Sequence, residues 1–558
     1  MKLKYISMIA GLSLLSLSSC NDFLDTVPDT RVYLSNVEQL QKLLCDGYMD
    51  NDYSLLGELS SDNMVDNTAP DKSGMRYNLT PYEQFDDQVF AWEDVTLSTS
   101  SDSPYSVWNS CYKAIAVANA VLEKADQFEE EGKTAEAPLT DDDRAKLKAI
   151  RGEALLIRAF HHFVLANVFC MPYGGQNAAS QQGLPYMTHS ETEVSPKYER
   201  GNLKDFYEKI EADLTAGLEL VTDQYYKVPR YHFNRAAANA FAARFYLWIR
   251  DYKKAKYYAD IALGNDPASN MNTLWRRDDL YTSEDHVRAN TELTNPSILM
   301  SISTYSVWSR RPGSRYGCKD NAMGATVSGP GPTWTGSHPC FRNMLFISGS
   351  QDYGVMFFAN WGELFEYTDK LAGIGYVHMM RNEFTIEETL LVRAEAEIFL
   401  SQDPTFPEAV RDLKMWIDNR DDCVNKSSVK TELTAGRIER FYNGKPGYDI
   451  NKEMHIDEVC PVSDYHVTEE MKPFLQCVQH FRRIETIHKG NRWFDIKRYG
   501  IEIEHRIGAS RVERLTLDDP RRAIQVPYEV WISGLEKNVR NETPINTPVG
   551  PDTYQLAN

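Results

Sequence analysis

The stretch from Tyr305 to His338 gathers side chains suited to holding a ligand without reacting with it. It carries Tyr305, Trp308, Arg310, Arg311, Tyr316, Asp320, Asn321, Trp334 and His338, interleaved with Pro312-Gly313, Gly317 and Gly329-Pro330-Gly331-Pro332. Aromatic rings offer an apolar face to the C–H groups of a sugar, while Arg, Asp and Asn bond hydroxyls. That combination suits a neutral glycan. The candidate ligand contacts are therefore Trp334, Trp308, Tyr316, Tyr305, Arg310, Asp320 and Asn321, with Trp92 contributing from an earlier loop. Trp334 comes first, because the Gly-Pro run before it predicts a stiff segment with little core of its own. The same rings serve equally well to anchor a loop onto a core, since aromatic side chains dominate cores and interfaces alike.

Other clusters point away from catalysis. Arg492, Asp495 and Arg498 stand three residues apart, so Asp495 can pair with either arginine on a helix, which is a stabilising arrangement. His161 and His162 are adjacent on a helical pattern, where a metal pair needs a spacing of three or four and further ligands; no HExxH occurs. Gly373-Ile374-Gly375 is too short for a dinucleotide fingerprint, and the chain has neither a G-x-S-x-G nor a P-loop. No catalytic residue, metal or cofactor is expected. Nine cysteines show no CxxC spacing. Cys111 and Cys170 lie in helical patterns and read as buried thiols, whereas Cys318 and Cys340 flank the loop and are the pair to test for a disulfide.

The first residues set the compartment. Lys2 and Lys4 precede an apolar run, Ile6 to Leu17, too short to span a bilayer as a helix, and the run ends in Leu17-Ser18-Ser19-Cys20. Small residues before a Cys at the end of such a run look like a bacterial lipobox. This implies a lipoprotein-type signal peptide over 1–19, cleavage before Cys20, lipidation of its thiol, and an extended tether over 20–34. The formal net charge of the 558 residues is -20, to which the first nineteen contribute only Lys2 and Lys4. So acidic a surface argues against nucleic acid and anionic lipid headgroups as partners.

The elements that must position the loop are helical. Asn234 to Pro267 holds Ala238, Phe241, Ala242, Phe245 and Trp248 at helical spacing. A second helix follows with Tyr252, Ala255, Ala259, Ala262 and Leu263, closed by Gly264 and Pro267. Tyr246, Tyr252, Ala255, Ala262, Leu263 and Pro267 match the register of a tetratricopeptide repeat, with Ala259 standing where an aromatic is usual. One such hairpin cannot bury its own apolar face, so more must stack on it. The periodicity predicts four pairs: 36–48 with 107–125, 141–171 with 205–221, 235–249 with 252–264, and 386–400 with 408–420. Ser35 with Glu38, and Thr140 with Asp143, read as capping boxes, and Ser297 to Ser303 reads as a short strand. The expected fold is mostly α: four tetratricopeptide-like helix pairs form a superhelical scaffold within a single domain over 35–558. The pairs lie within 36–267 and 386–420. Loop-rich insertions at 50–103, 268–385 and 421–558 form a large ligand-binding remainder.

Several stretches together resemble the SusD/RagB family of outer-membrane nutrient-capture lipoproteins. They are Cys20-Asn-Asp-Phe-Leu-Asp25, the helix from Arg151 to Phe160 running on to Pro172, the central hairpin, Arg393-Ala-Glu-Ala-Glu397, Asn491 to Gly500, and Ile524-Gln-Val-Pro527. The C-terminal Asn546-Thr547-Pro548-Val549-Gly550 departs from the family's usual close. The resemblance implies a cell-surface protein that binds oligo- or polysaccharide and delivers it to a SusC-like TonB-dependent outer-membrane barrel. It implies a lipid anchor in the outer membrane facing the exterior, with Asp22 after Cys20 resembling the export signal. Capture of peptides by the same architecture is the alternative; a surface glycoside hydrolase and a purely structural scaffold are rivals of other classes.

Overall fold

The computed structural model describes residues 34–68, 83–96, 98–133, 138–193, 196–277, 279–310, 315–317, 326, 329–334, 345–348, 355–358, 362–421, 431–444, 450–461 and 463–541. The main helices, in chain order, are α1 Val37–Leu43, α2 Ser54–Ser60, α3 Gln84–Phe90, α4 Pro104–Glu131, α5 Asp141–Phe169, α6 Leu203–Leu220 and α7 Arg235–Trp248. They continue with α8 Tyr252–Leu263, α9 Ser283–Thr291, α10 Ile386–Leu400, α11 Pro407–Asp421, α12 Ala435–Asn443, α13 Lys472–Glu485 and α14 Asn491–Tyr499. Four tetratricopeptide-like pairs, α1 with α4, α5 with α6, α7 with α8 and α10 with α11, make the scaffold. Helix α5 lies between α4 and α6, and α10 lies between α8 and α11.

Local chemistry sets the helix ends. Asn234 caps α7, its side chain accepting from the Ala237 N–H at 2.9 Å, and Gly264 ends α8 at φ +65°. Thr140 and Asp143 close the capping box of α5. The cap of α1 differs from expectation: the Asn36 side chain accepts from the Gln39 N–H, and the Ser35 N–H turns to the Gln39 side chain. Asn is among the strongest N-caps, so the residue nearer the helix wins.

Small residues set how closely the helices pack. A Cβ on Gly152 of α5 would lie 2.8 Å from Val221 N at the end of α6, and one on Gly217 of α6 would lie 2.7 Å from Leu156. In α8, Ala255, Ala259 and Ala262 are all buried, and the Tyr252 ring stacks on Phe399 of α10 at 4.0 Å. The alanine at 259 is thus consistent with a tight seat against α10.

The 421–558 stretch departs from a loop-rich insertion. Helices α13 and α14 run through the core there, α13 against α10 and α14 against α2. Many of their polar side chains are buried and several are bonded. Arg482 donates to Asp495 at 3.1 Å, Arg483 to Asn63 at 2.8 Å, and Arg492 to both oxygens of Asp62 at 2.7 and 2.8 Å. Their arginines, glutamines and histidine make these helices read as polar by composition although they are buried.

The strands are β1 Val65–Asp66, β2 Ile298–Thr304, β3 Tyr316–Gly317, β4 Leu345–Ser348, β5 Val355–Phe358, β6 Glu363–Asp369, β7 Ile374–Thr385, β8 Ile503–Ile507 and β9 Arg511–Leu515. The largest sheet is antiparallel in the order β2-β7-β6. Strand β2 pairs with β7 only as far as Thr304 opposite Met379, whereas β6 follows β7 out to Asp369 opposite Ile374. The outer half of β6–β7 therefore projects past β2 as a two-stranded ribbon, turned at Gly373 with φ +67°.

Candidate ligand-binding site

The loop after β2 is pinned by two aspartates. The Tyr305 N–H donates to the Asp50 carbonyl at 2.7 Å. Asp102 accepts from the Ser306 hydroxyl at 3.0 Å and the Val307 N–H at 2.8 Å. Asp102 itself sits at φ +64°, a conformation that costs a non-glycine residue energy and persists only where surrounding bonds enforce it. The Ser306 hydroxyl then accepts from the Trp308 N–H, and the Trp308 ring turns inward against His488, 5.5 Å away. Tyr305 is left outside, 51% exposed. Arg310 stays exposed and pairs with Glu363 of β6.

The other predicted rings lie in the core. Trp334 is only 7% exposed: its indole N–H donates to the Gly329 carbonyl at 2.8 Å, and its ring packs near His480 and Phe481. The Gly-Pro run, expected to present this ring on a coreless segment, folds back over it instead. Gly331 permits this, because a Cβ there would meet the indole at 2.2 Å. Tyr316 is buried beside Phe90 and donates to Asp87 at 2.5 Å; burial, then that carboxylate, raises its pKa. Trp92 is buried with its ring stacked on His505 at 4.1 Å and its N–H donated to the Ser60 carbonyl at 3.0 Å. Asp320 and Asn321, with Arg311, His338, Cys318, Cys340 and Cys20, the expected lipidation site, lie outside the described residues.

Around Tyr305 the fold assembles residues that the sequence reading passed over. Its ring lies 6.1 Å from that of Tyr376 on β7, the two planes at 70°. The Tyr376 hydroxyl donates to Glu366 of β6 at 2.8 Å, and the cross-strand pairing of Glu366 with Tyr376 puts both on one face of the ribbon. That bond, then slight burial, raises the Tyr376 pKa. Tyr231, just before α7, is raised first by burial and then by the Glu366 charge. Beside Tyr305, Lys113 of α4 pairs with Asp50 at 2.7 Å. The opposite face of the ribbon carries Phe365 and Tyr367, exposed, with ring centroids 4.8 Å apart. The sequence signal was the alternation through Phe365-Glu366-Tyr367 ahead of the Gly373 turn, which marks a hairpin with a polar and an apolar face.

The clusters set aside on sequence are engaged in the core. His161 and His162 are buried; each ring holds a carbonyl four residues back and receives a backbone N–H, from Met49 and Met187, at 3.1 Å. Burial depresses both pKa values, that of His161 to about 4. Asp495 pairs with Arg498 at 2.7 Å, as its spacing predicts, and also with Arg482, while Arg492 goes to Asp62. Cys111 and Cys170 are buried free thiols. Among the described residues no group of three or more His, Cys, Asp or Glu is placed to hold a metal ion. Among them also, no helix is long and apolar enough to cross a membrane.

These features define a class: a helical-repeat scaffold whose insertions carry a ring-lined surface. Residues 22–247 match the SusD-like family model described as starch-binding and associating with the outer membrane. The fold matches a SusD superfamily protein from Bacteroides vulgatus with 18% identity, over 90% of this chain and 98% of that one, at a TM-score of 0.59. It matches a SusD superfamily protein from Bacteroides thetaiotaomicron with 17% identity, over 90% and 100% of the two chains, at 0.56. A putative sugar binding protein from Bacteroides vulgatus is similar at 17% identity, over 90% and 97%, at 0.54. No curated protein sequence matches the chain. Over residues 22–247 the chain is similar to the SusD-like family, and its fold is shared with these structures.

Proposed function

We propose that this protein is a cell-surface glycan-binding lipoprotein that captures oligo- or polysaccharide and delivers it to a SusC-like TonB-dependent barrel in the outer membrane. The observation that carries the reading is the match of residues 22–247 to a family described as starch-binding and associating with the outer membrane. Lipidation of Cys20 holds it to that membrane, facing the exterior. The ligand face is built from the insertions, because binding residues sit on loops that a rigid scaffold positions. Tyr305 and Arg310 meet the ligand from the loop after β2, and Asp320 and Asn321 are further candidate contacts. Trp308, Tyr316, Trp334 and Trp92 form its packed base, holding the loop in place. The protein binds and releases its ligand unchanged, with no metal or cofactor.

The mature protein carrying Cys20→Ala, titrated with a panel of oligosaccharides by calorimetry and followed by chromatography of the sugars, tests this. Saturable binding of a glycan with its chain length unchanged is expected. Shortened products would make it a hydrolase, and binding of peptides in place of glycans would support the alternative cargo.

A further inference from the structure

We infer that the ribbon face carrying Tyr376 and Glu366, together with Tyr305 and Tyr231, is a sugar subsite selective for uncharged saccharides. The inference rests on the glycan-capture reading and gives that site residues and a ligand class.

Three tyrosines gather here and none is buried: Tyr376 bonds Glu366, the Tyr305 ring stands against that of Tyr376, and Tyr231 lies within reach of the Glu366 charge; they are 38%, 51% and 42% exposed. They come from three separate elements, namely β7, the turn before α7 and the loop after β2. Packing does not require their rings at the surface, since the rings of Trp308 and Tyr316, a few residues from Tyr305, are folded into the core. The geometry suits a ligand. The Tyr305 and Tyr376 rings stand at 70° across 6.1 Å, forming a corner rather than a stack, so each keeps a face for the C–H surface of a sugar ring. The Tyr376 hydroxyl is held by Glu366 Oε2, which fixes that ring, and nothing among the described residues bonds the other carboxylate oxygen. That oxygen accepts a hydroxyl, and a charged acceptor makes the bond stronger than a neutral one.

Charge decides the class. Asp50 beside Tyr305 is paired with Lys113, and the nearby Arg310 is paired with Glu363. Among the described residues Glu366 has no cation within salt-bridge distance, so on these residues the corner carries one uncompensated negative charge on a chain of net charge -20. Sugar hydroxyls gain from that oxygen, whereas a uronate or sulfate is repelled.

The test uses the mature protein with Cys20→Ala and calorimetric titration with maltohexaose, cellohexaose, xylohexaose, mannohexaose and hexagalacturonate. At least one neutral hexasaccharide binds, and hexagalacturonate binds at least tenfold more weakly. Tyr376→Ala and Tyr305→Ala each lose at least tenfold in affinity, Glu366→Gln loses severalfold and narrows the gap to hexagalacturonate, and Phe365→Ala and Tyr367→Ala on the other face bind as wild type. All five side chains are exposed, so the variants fold, which circular dichroism checks. Wild-type affinity for a neutral sugar in both Tyr376→Ala and Tyr305→Ala overturns the subsite and leaves glycan capture standing. Hexagalacturonate bound as tightly as the best neutral sugar overturns the charge selection. A wild-type protein that binds none of the five overturns both readings.

Discussion

Replacing Glu383 by Gln will weaken the joint between the β6–β7 ribbon and the helical scaffold. Glu383 lies near the end of β7, the strand that carries Tyr376 at its outer half, and its side chain is fully buried. One oxygen receives Arg244 of α7 and the Tyr53 hydroxyl at 3.0 Å; the other receives Arg381 at 2.5 Å. Arg244 also reaches Glu388 of α10 at 2.6 Å, and Arg381 stacks over Tyr53 at 4.2 Å. Burial opposes ionisation of Glu383, but the charges of Arg381 and Arg244 outweigh it and lower its pKa to about 2 from an ordinary 4.5. A shift of that size corresponds to roughly 3 kcal/mol of folded-state stabilisation at neutral pH. Removing one partner of a buried ion pair costs about 3–5 kcal/mol by a separate route, the stranded charge. Both routes predict a loss near 3 kcal/mol for Glu383→Gln, since Gln keeps the shape and one acceptor. The sign with pH follows from the depressed value. The contribution is full above the unfolded pKa of 4.5 and is lost as pH falls through 2, so the gap between wild type and variant narrows across that window. Urea unfolding followed by circular dichroism at pH 7 and at steps down to pH 3 reads both. A loss under about 1 kcal/mol at pH 7, or a loss that does not shrink on acidification, would refute the reasoning.

Ala255→Trp should overpack the buried α8 hairpin and cost roughly 1–3 kcal/mol or more; an unchanged melting temperature would remove the helix register. Glu58 is the opposite case to Glu383. Burial, opposed by the Gly490 N–H and Asn63, raises its pKa to about 7, so the folded state holds a proton that the unfolded chain releases near 4.5. Wild-type stability should therefore fall as pH rises from 4.5 to 7, and Glu58→Gln should gain on wild type by up to about 3 kcal/mol across that window; a constant difference in denaturation midpoint would count against it. Cys20→Ala, expressed without the barrel partner, should move from the membrane fraction to the soluble one, because stable attachment needs at least two acyl chains. Continued membrane partitioning of that variant would end the anchor reading.

How much of the molecule was legible in its sequence differs by element. The paired helices were, down to Asn234 as a cap and Gly264 as a stop, because caps and apolar stripes are written within a few residues of one another. Strand β2 was legible within one residue of its ends. Helix α13 was not recognised as core, because Gln479, His480, Arg482 and Arg483 are polar residues whose partners come from elsewhere in the chain. His480 faces the carbonyl of Thr326, and Arg483 reaches Asn63.

The candidate site divides along the same line. By itself the sequence determined that the 305–338 stretch is rich in rings and hydrogen-bonding groups, and that a helical scaffold must hold it. Which rings face solvent was decided only by the tertiary structure. Trp308 points inward because His488 is there to receive it, Tyr316 because Asp87 and Phe90 are, and Trp334 because Gly331 lets the chain close over it beside Phe481. Tyr305 points outward because Asp50 and Asp102 pin the backbone on either side of it. Its neighbours Tyr376, Glu366 and Tyr231 are brought in by strand pairing and by a turn some seventy residues earlier. The exposure of an aromatic ring depends on what stands behind it, and those partners are set by contacts between distant parts of the chain that local spacing does not encode.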